Sequence, residues 1–115
     1  MFSFENLTVY KKAFQTNQKV YHLLKSKQAL AGYLRNQLGR ASLSIMLNIA
    51  EGSAKFTRKD RKNFYVTARG SSFECAAIIT FLHEEGEIET VLKDELNFSF
   101  EEISRILFTM IKNLD

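Results

Sequence analysis

Proline is absent from this chain of 115 residues, and glycine occurs only five times. Little in the sequence therefore interrupts a helix. Cysteine appears once, as Cys75, which excludes an internal disulfide and a thiolate metal cage and fits a reducing, cytoplasmic setting. The two histidines, His22 and His83, stand outside the Glu-x-x-His spacing of bundle metal sites. No run of about 18 apolar residues is present, so a membrane span is not expected. The first residues lack the basic-then-apolar layout of a secretory signal. A phosphate-cradling glycine loop and a nucleophile elbow are missing as well. These absences point away from an enzyme, a cofactor and a metal.

What is present is apolar and helical. Hydrophobic residues make up 45% of the chain and include ten Phe, ample for one domain spanning residues 1–115. Phe4, Leu7, Tyr10, Phe14, Val20, Tyr21 and Leu24 recur at helical spacing, predicting a first helix from Phe4 to Leu24 with Ser3 as its cap. A second runs from Ala29 to Gly52 on Leu34, Leu38, Ala41, Ile45 and Ile49, with Gly32 and Gly39 allowing close approach of a neighbour. A third starts at the capping-box spacing Thr57 to Asp60 and stops near Glu85, ahead of Gly86. A fourth is expected after a second such signature at Ser99–Glu102, with Ile88–Leu96 as a short helix or connector. The fold class is all-α, an antiparallel four-helix bundle joined by short links.

The second helix has no proper solvent face. Leu43, Leu47 and Ala50 cover a side that its core stripe leaves free. A helix that is apolar on several sides must be covered on several sides. A chain this short has few elements to do so, and a homo-oligomer is expected.

Charge is unevenly placed. Residues 1–83 hold thirteen Lys and Arg against four Asp and Glu, while residues 84–115 hold three against nine. The densest basic run is Lys55, Arg58, Lys59, Arg61 and Lys62, opposed only by Asp60. Lys11, Lys12 and Lys19 offer a second patch on the first helix. Either one face meets an anionic partner, RNA or DNA, or the two ends of the chain neutralise each other.

Polar residues also fall at helical spacing. Gln37, Ser44, Asn48 and Glu51 share one face of the second helix, with Arg40 at its border, and the third helix offers Arg69, Ser71, Ser72 and Glu74. Inside a bundle such groups must be paired. The favoured reading makes Gln37, Arg40, Asn48, Glu51, Arg69 and Glu74 satisfied structural contacts that fix register between helices or subunits. The alternative makes Arg40, Glu51 and Glu74 an acid–base or metal site. Cys75, between Glu74 and Ala76, reads as a small core residue. His22 and His83 read as surface or boundary residues. Phe64 reads as core, which leaves Tyr65 as the aromatic beside the basic run able to stack on a base.

Several of these residues form an ordered pattern: Gln37-x-x-Arg40-Ala41, Ser44-Ile45, Asn48-Ile49-Ala50-Glu51-Gly52, and then Ala68-x-Gly70-Ser71-x-x-Glu74. Phe4-x-x-Leu7-x-Val9-Tyr10 precedes it and Gly86-x-Ile88 follows. The chain thereby resembles, over nearly its full length, the four-helix-bundle proteins encoded by intervening sequences within bacterial 23S ribosomal RNA genes. The resemblance implies a ring-shaped homopentamer without an established enzymatic activity. It extends to the accessory protein of diversity-generating retroelements, a basic pentameric barrel that binds a reverse transcriptase and nucleic acid, so a reverse transcriptase is a candidate partner. One departure is Met46, where many members have a proline that would kink the second helix.

Overall fold

The computed structural model describes residues 1–115. A 3-10 turn, Ser3–Asn6, precedes four helices: α1 (Thr8–Ser26), α2 (Gly32–Ser53), α3 (Arg58–Glu84) and α4 (Thr90–Asn113). Links of a few residues make each helix antiparallel to the one before it. The Ser42 hydroxyl donates to Asn17 Oδ1 at 2.8 Å, and Arg35 Nη1 donates to the Leu24 and Lys27 carbonyls at 2.7 and 2.8 Å. These bonds align α2 against α1. Lys12–Glu102 at 2.9 Å and the Lys19–Glu95 pair align α4 against α1 in the same sense. The bundle measures 44 × 25 × 22 Å. Its length is set by α3, whose 27 residues span about 40 Å.

One core joins all four helices. Val9, Ala13, Val20 and Leu23 enter it from α1, and Leu38, Ala41, Ile45 and Ile49 from α2. Ala68, Cys75, Ile79 and Leu82 come from α3, and Leu96, Phe100, Ile103 and Leu107 from α4. Burying each large side chain stabilises the fold by about 1.5–3 kcal/mol before conformational entropy is counted. Leu30 and Ile88, in the two links at the far end, close the core there.

The ends of α3 follow the expected chemistry. Thr57 Oγ1 accepts the Asp60 N–H at 3.1 Å, forming one half of the capping box. At the other end Gly86 adopts φ +76°, the Glu87 N–H reaches the Leu82 carbonyl at 2.9 Å, and the Gly86 N–H reaches the His83 carbonyl at 3.0 Å. This is the left-handed stop that glycine adopts without strain.

Three helix limits differ from expectation. Leu7 is extended (φ −68°, ψ 128°) and interrupts the first segment, so α1 begins at Thr8. The interruption lets the Phe4 ring fold edge-on against Tyr10, with centroids 4.8 Å apart. The Phe2 N–H donates to Glu5 Oε2 at 2.8 Å, and Ser3 supplies no side-chain cap. Next, α2 begins at Gly32 rather than Ala29, and it continues through Met46 without a break. The fourth helix is the largest difference. It starts at Thr90 and runs unbroken through Ser99, whose hydroxyl bonds back to the Glu95 carbonyl at 3.2 Å instead of capping anything. Leu92, Leu96, Phe100, Ile103 and Leu107 form one continuous stripe across Ser99, and their packing outweighs a local cap preference.

The α2–α3 pair approaches closely at the turn. A Cβ on Gly52 would lie 2.7 Å from Tyr65 Cε1 and 3.0 Å from Phe64 Cβ. At Gly39 it would meet Leu24 at 3.3 Å, whereas Gly32 faces open space, so Gly32 serves no close approach. Gly52→Ala is expected to cost about 1–3 kcal/mol by overpacking against buried Tyr65, lowering the melting temperature by at least a few degrees. Gly32→Ala should be neutral or stabilising by up to about 1 kcal/mol. Thermal melts of the two variants check the pair. Equal melting temperatures would contradict the packing argument.

Candidate nucleic-acid interface

The link Ala54–Thr57 and the first turns of α3 carry the basic run to one end of the bundle. The chain's two termini lie at that end: Lys62 pairs with Asp115, and Ser3 and Phe4 line a groove with Ser53 and Arg61. Lys25 and Lys27 fall at the opposite end, as the antiparallel α1–α2 pairing requires. The turn is held in place: Arg61 Nε donates to the Lys55 carbonyl at 2.8 Å, and the Ala54 and Lys55 N–H groups bond to the Glu51 and Gly52 carbonyls. Lys55 Nζ lies 4.8 Å from the centroid of the Phe64 ring. Arg58 and Lys59 are exposed and make neither hydrogen bond nor ion pair with any side chain. Of the five cations, only Lys62 has a carboxylate partner.

The second patch is differently placed. Lys12 and Lys19 pair with Glu102 and Glu95 of α4, leaving Lys11 as its unpaired cation. Lys19 borders a groove of about 580 Å³, which is also lined by His22, Lys27, Glu89 and Glu95. Two of the nine acidic residues in 84–115 are thus paired with α1 within one subunit.

The polar stripe is not inside the protomer. The buried face of α2 carries Leu38, Ala41, Ser42, Ile45, Ile49 and Gly52. The stripe lies about a quarter-turn or more away round the helix, on the α2–α3 seam and outside it. Gln37, Arg40 and Glu51 are exposed there, while Asn48, Arg69 and Glu74 are half-buried. Part of the stripe forms a network. Gln37 Nε2 donates to Glu74 Oε2, Ser44 Oγ meets Ser71 Oγ at 3.0 Å, and Asn48 Nδ2 donates to Ser44 Oγ at 2.9 Å. Arg40 and Glu51 take no part in it and are exposed on the single chain, so they do not fix register between its own helices. Arg69 faces α4 instead, its guanidinium 4.8 Å from the Phe73 ring centroid and 5.4 Å from that of Phe108.

Single residues resolve in the same way. Cys75 is fully buried, and burial, with the Glu74 carboxylate alongside, pushes its thiol up to about 12. His22 is exposed beside Tyr21, and half-buried His83 bonds through Nε2 to Thr90 Oγ1 at 2.9 Å. Tyr65 is only 5% exposed, and burial raises its phenol although Arg61 opposes the shift. It packs under Gly52 and has no free face for a base. The exposed aromatic side chain that falls within the basic run of the sequence is Phe56, exposed at 101%. Helical periodicity has no purchase on a turn residue, so only its position between Lys55 and Arg58 could have marked it.

An antiparallel four-helix bundle with a cationic end is therefore the class that fold and site define. The chain belongs to the 23S rRNA-intervening sequence protein family, whose model matches residues 5–109. Among solved structures, it is similar to a protein of unknown function from the S23 ribosomal protein family of Bacteroides thetaiotaomicron VPI-5482. That likeness has a TM-score of 0.85 at 23% identity and covers 91% of this chain and 99% of the other. It bears on the fold. No curated protein matches. No helix is long and apolar enough to cross a membrane.

The buried thiol makes a prediction about alkaline stability. An unfolded thiol ionises near its ordinary 9.0, whereas Cys75 in the fold holds its proton to about 12. Between those values the unfolded state binds fewer protons, so stability falls as pH rises, by about 1.4 kcal/mol per pH unit once the unfolded thiol is ionised. Below pH 9 the group contributes no slope. Chemical denaturation of wild type and Cys75→Ala across this range should show a steeper loss for wild type. Parallel profiles would contradict the assignment.

Proposed function

We propose that this chain is a non-enzymatic homo-oligomeric helical bundle, a ring-shaped homopentamer, that binds RNA or DNA through the basic end of α3. The observation that carries the reading is the set Lys55, Arg58, Lys59 and Arg61, gathered at one end with no carboxylate partner. Self-repulsion there is relieved by a polyanion, and backbone phosphates fit that charge without sequence preference. Repetition of the patch in each subunit adds avidity on a long strand.

Assembly is supported by apolar side chains left on two different flanks. Leu43 (42% exposed), Leu47 (44%), Tyr33 and Phe81 lie outward on α2 and α3, and Phe73, Phe98 and Phe108 lie towards α4. Large apolar side chains exposed on more than one side of the bundle suit burial against other copies, and unlike faces on one chain suit head-to-tail closure. The same flanks favour a second reading, a protein-interaction scaffold without nucleic-acid binding.

Arg58→Gln combined with Lys59→Gln separates the two readings, because neither side chain supports the fold. The variant should melt like wild type and bind labelled RNA or DNA more weakly, with a log–log salt slope shallower by roughly 0.7–0.9 for each phosphate contact removed. No binding of wild type to any nucleic acid at low salt would leave the scaffold reading. Light scattering at micromolar concentration should give a mass several times 13.3 kDa. A clean monomer would overturn the ring.

A further inference from the structure

Phe56 is the one phenylalanine of ten whose side chain touches nothing. A ring left wholly in water forgoes the gain that drives every other large apolar group inward, so its place needs a reason. The turn does not supply one. No non-glycine residue in the chain has positive φ, and the link is already held by the Arg61–Lys55 bond and the Thr57 cap. Those bonds present the ring on a fixed backbone, which lowers the ordering cost of whatever binds it. The surroundings distinguish it from the other exposed aromatics. Phe73 and Phe108 lie on a helix flank around Arg69, with Glu101 lining the adjacent groove. Phe56 instead lies on the turn that also carries Lys55 and leads into Arg58 and Lys59, which have no ion-pair partner.

We propose that Phe56 is a base-stacking residue and that the ligand of this end is a single-stranded nucleic acid. An exposed aromatic ring on a turn that also carries cations suits a nucleotide, with a flat π-face for the ring and a phosphate for the charges. Base faces are free in a single strand and covered in a duplex, so the ring selects for single strands and tolerates any base. The inference rests on the basic-end reading above and adds strand selectivity to it.

The test uses the full-length protein, a short fluorescein-labelled oligo(U) strand and a duplex of the same length. Wild type should prefer the strand. Phe56→Ala should weaken strand binding by about tenfold, towards the low end of the loss expected for one base–aromatic stack. It should leave the duplex affinity, salt slope, melting temperature and oligomer mass unchanged. Phe56→Trp should restore strand binding, and because the chain has no other Trp, quenching of the introduced indole reports stacking directly. Strand binding unchanged in Phe56→Ala, or an indole not quenched by the strand, overturns the stacking role while leaving the basic-end reading intact. A fall in oligomer mass on Phe56→Ala assigns the ring to a subunit interface and overturns it too, as does binding to anionic phospholipid vesicles that depends on Phe56 when strand binding does not. Failure of wild type to bind any nucleic acid removes the basic-end reading and this inference together.

Discussion

The close approach of α2 and α3 at their connecting turn is the constraint on which the rest of the structure depends. Gly52 leaves room for Tyr65 and Phe64 that no side chain there would leave. Once the helices meet at that distance, the short link must turn back at once. Thr57 then caps α3, and Arg61 reaches across to the Lys55 carbonyl. Further along, the same pairing brings Ser44 to Ser71 and Gln37 to Glu74. The α2–α3 pair thus forms a ruled edge against which α1 and α4 are placed. The cationic end inherits its geometry from this pair, because Lys55, Phe56, Arg58 and Lys59 all belong to the turn or to the first residues after it.

A net charge of +3 conceals how charge is spent. Carboxylates of α4 meet lysines of α1 along the flank where those helices touch. Such half-exposed pairs contribute little stability, typically about 0.2–1 kcal/mol each, but they cancel field on that side. The turn between α2 and α3 lies beyond the reach of α4 except through Asp115, just past the end of that helix, which meets Lys62. The residual positive potential is therefore concentrated at the end where the α3 dipole is already positive.

Much of the fold was legible because burial imposes a period. The limits of α3 could be read from Thr57, Asp60 and Gly86, each acting through its own backbone neighbourhood. The start of α4 could not, since Ser99 and Glu102 carry the same local signature as a true cap and only tertiary packing decides between them. The polar stripe was visible as a stripe, but its depth was not. A helical period tells which residues share a face, and whether that face meets the core or the seam depends on where the neighbour sits. Glu51 and Arg40 fell outside for that reason. At the basic end the cations were evident and the aromatic partner was not. Tyr65 follows helical spacing into the packed α2–α3 contact, whereas Phe56 belongs to a turn, where no period applies and exposure must be seen directly.

The two surfaces left unsatisfied by a single chain do not overlap. Leu43, Leu47, Phe73 and Phe108 lie along the flanks, and the free cations and Phe56 lie at one end. An assembly closed through the flanks covers apolar surface without covering charge. In a ring of the kind proposed, with the long helices running roughly along its axis, every subunit would present its basic end to the same side. Like charges brought together in this way oppose assembly, and the opposition weakens when a polyanion threads across them. Ring closure and strand binding would then be linked, each favouring the other by the same free energy.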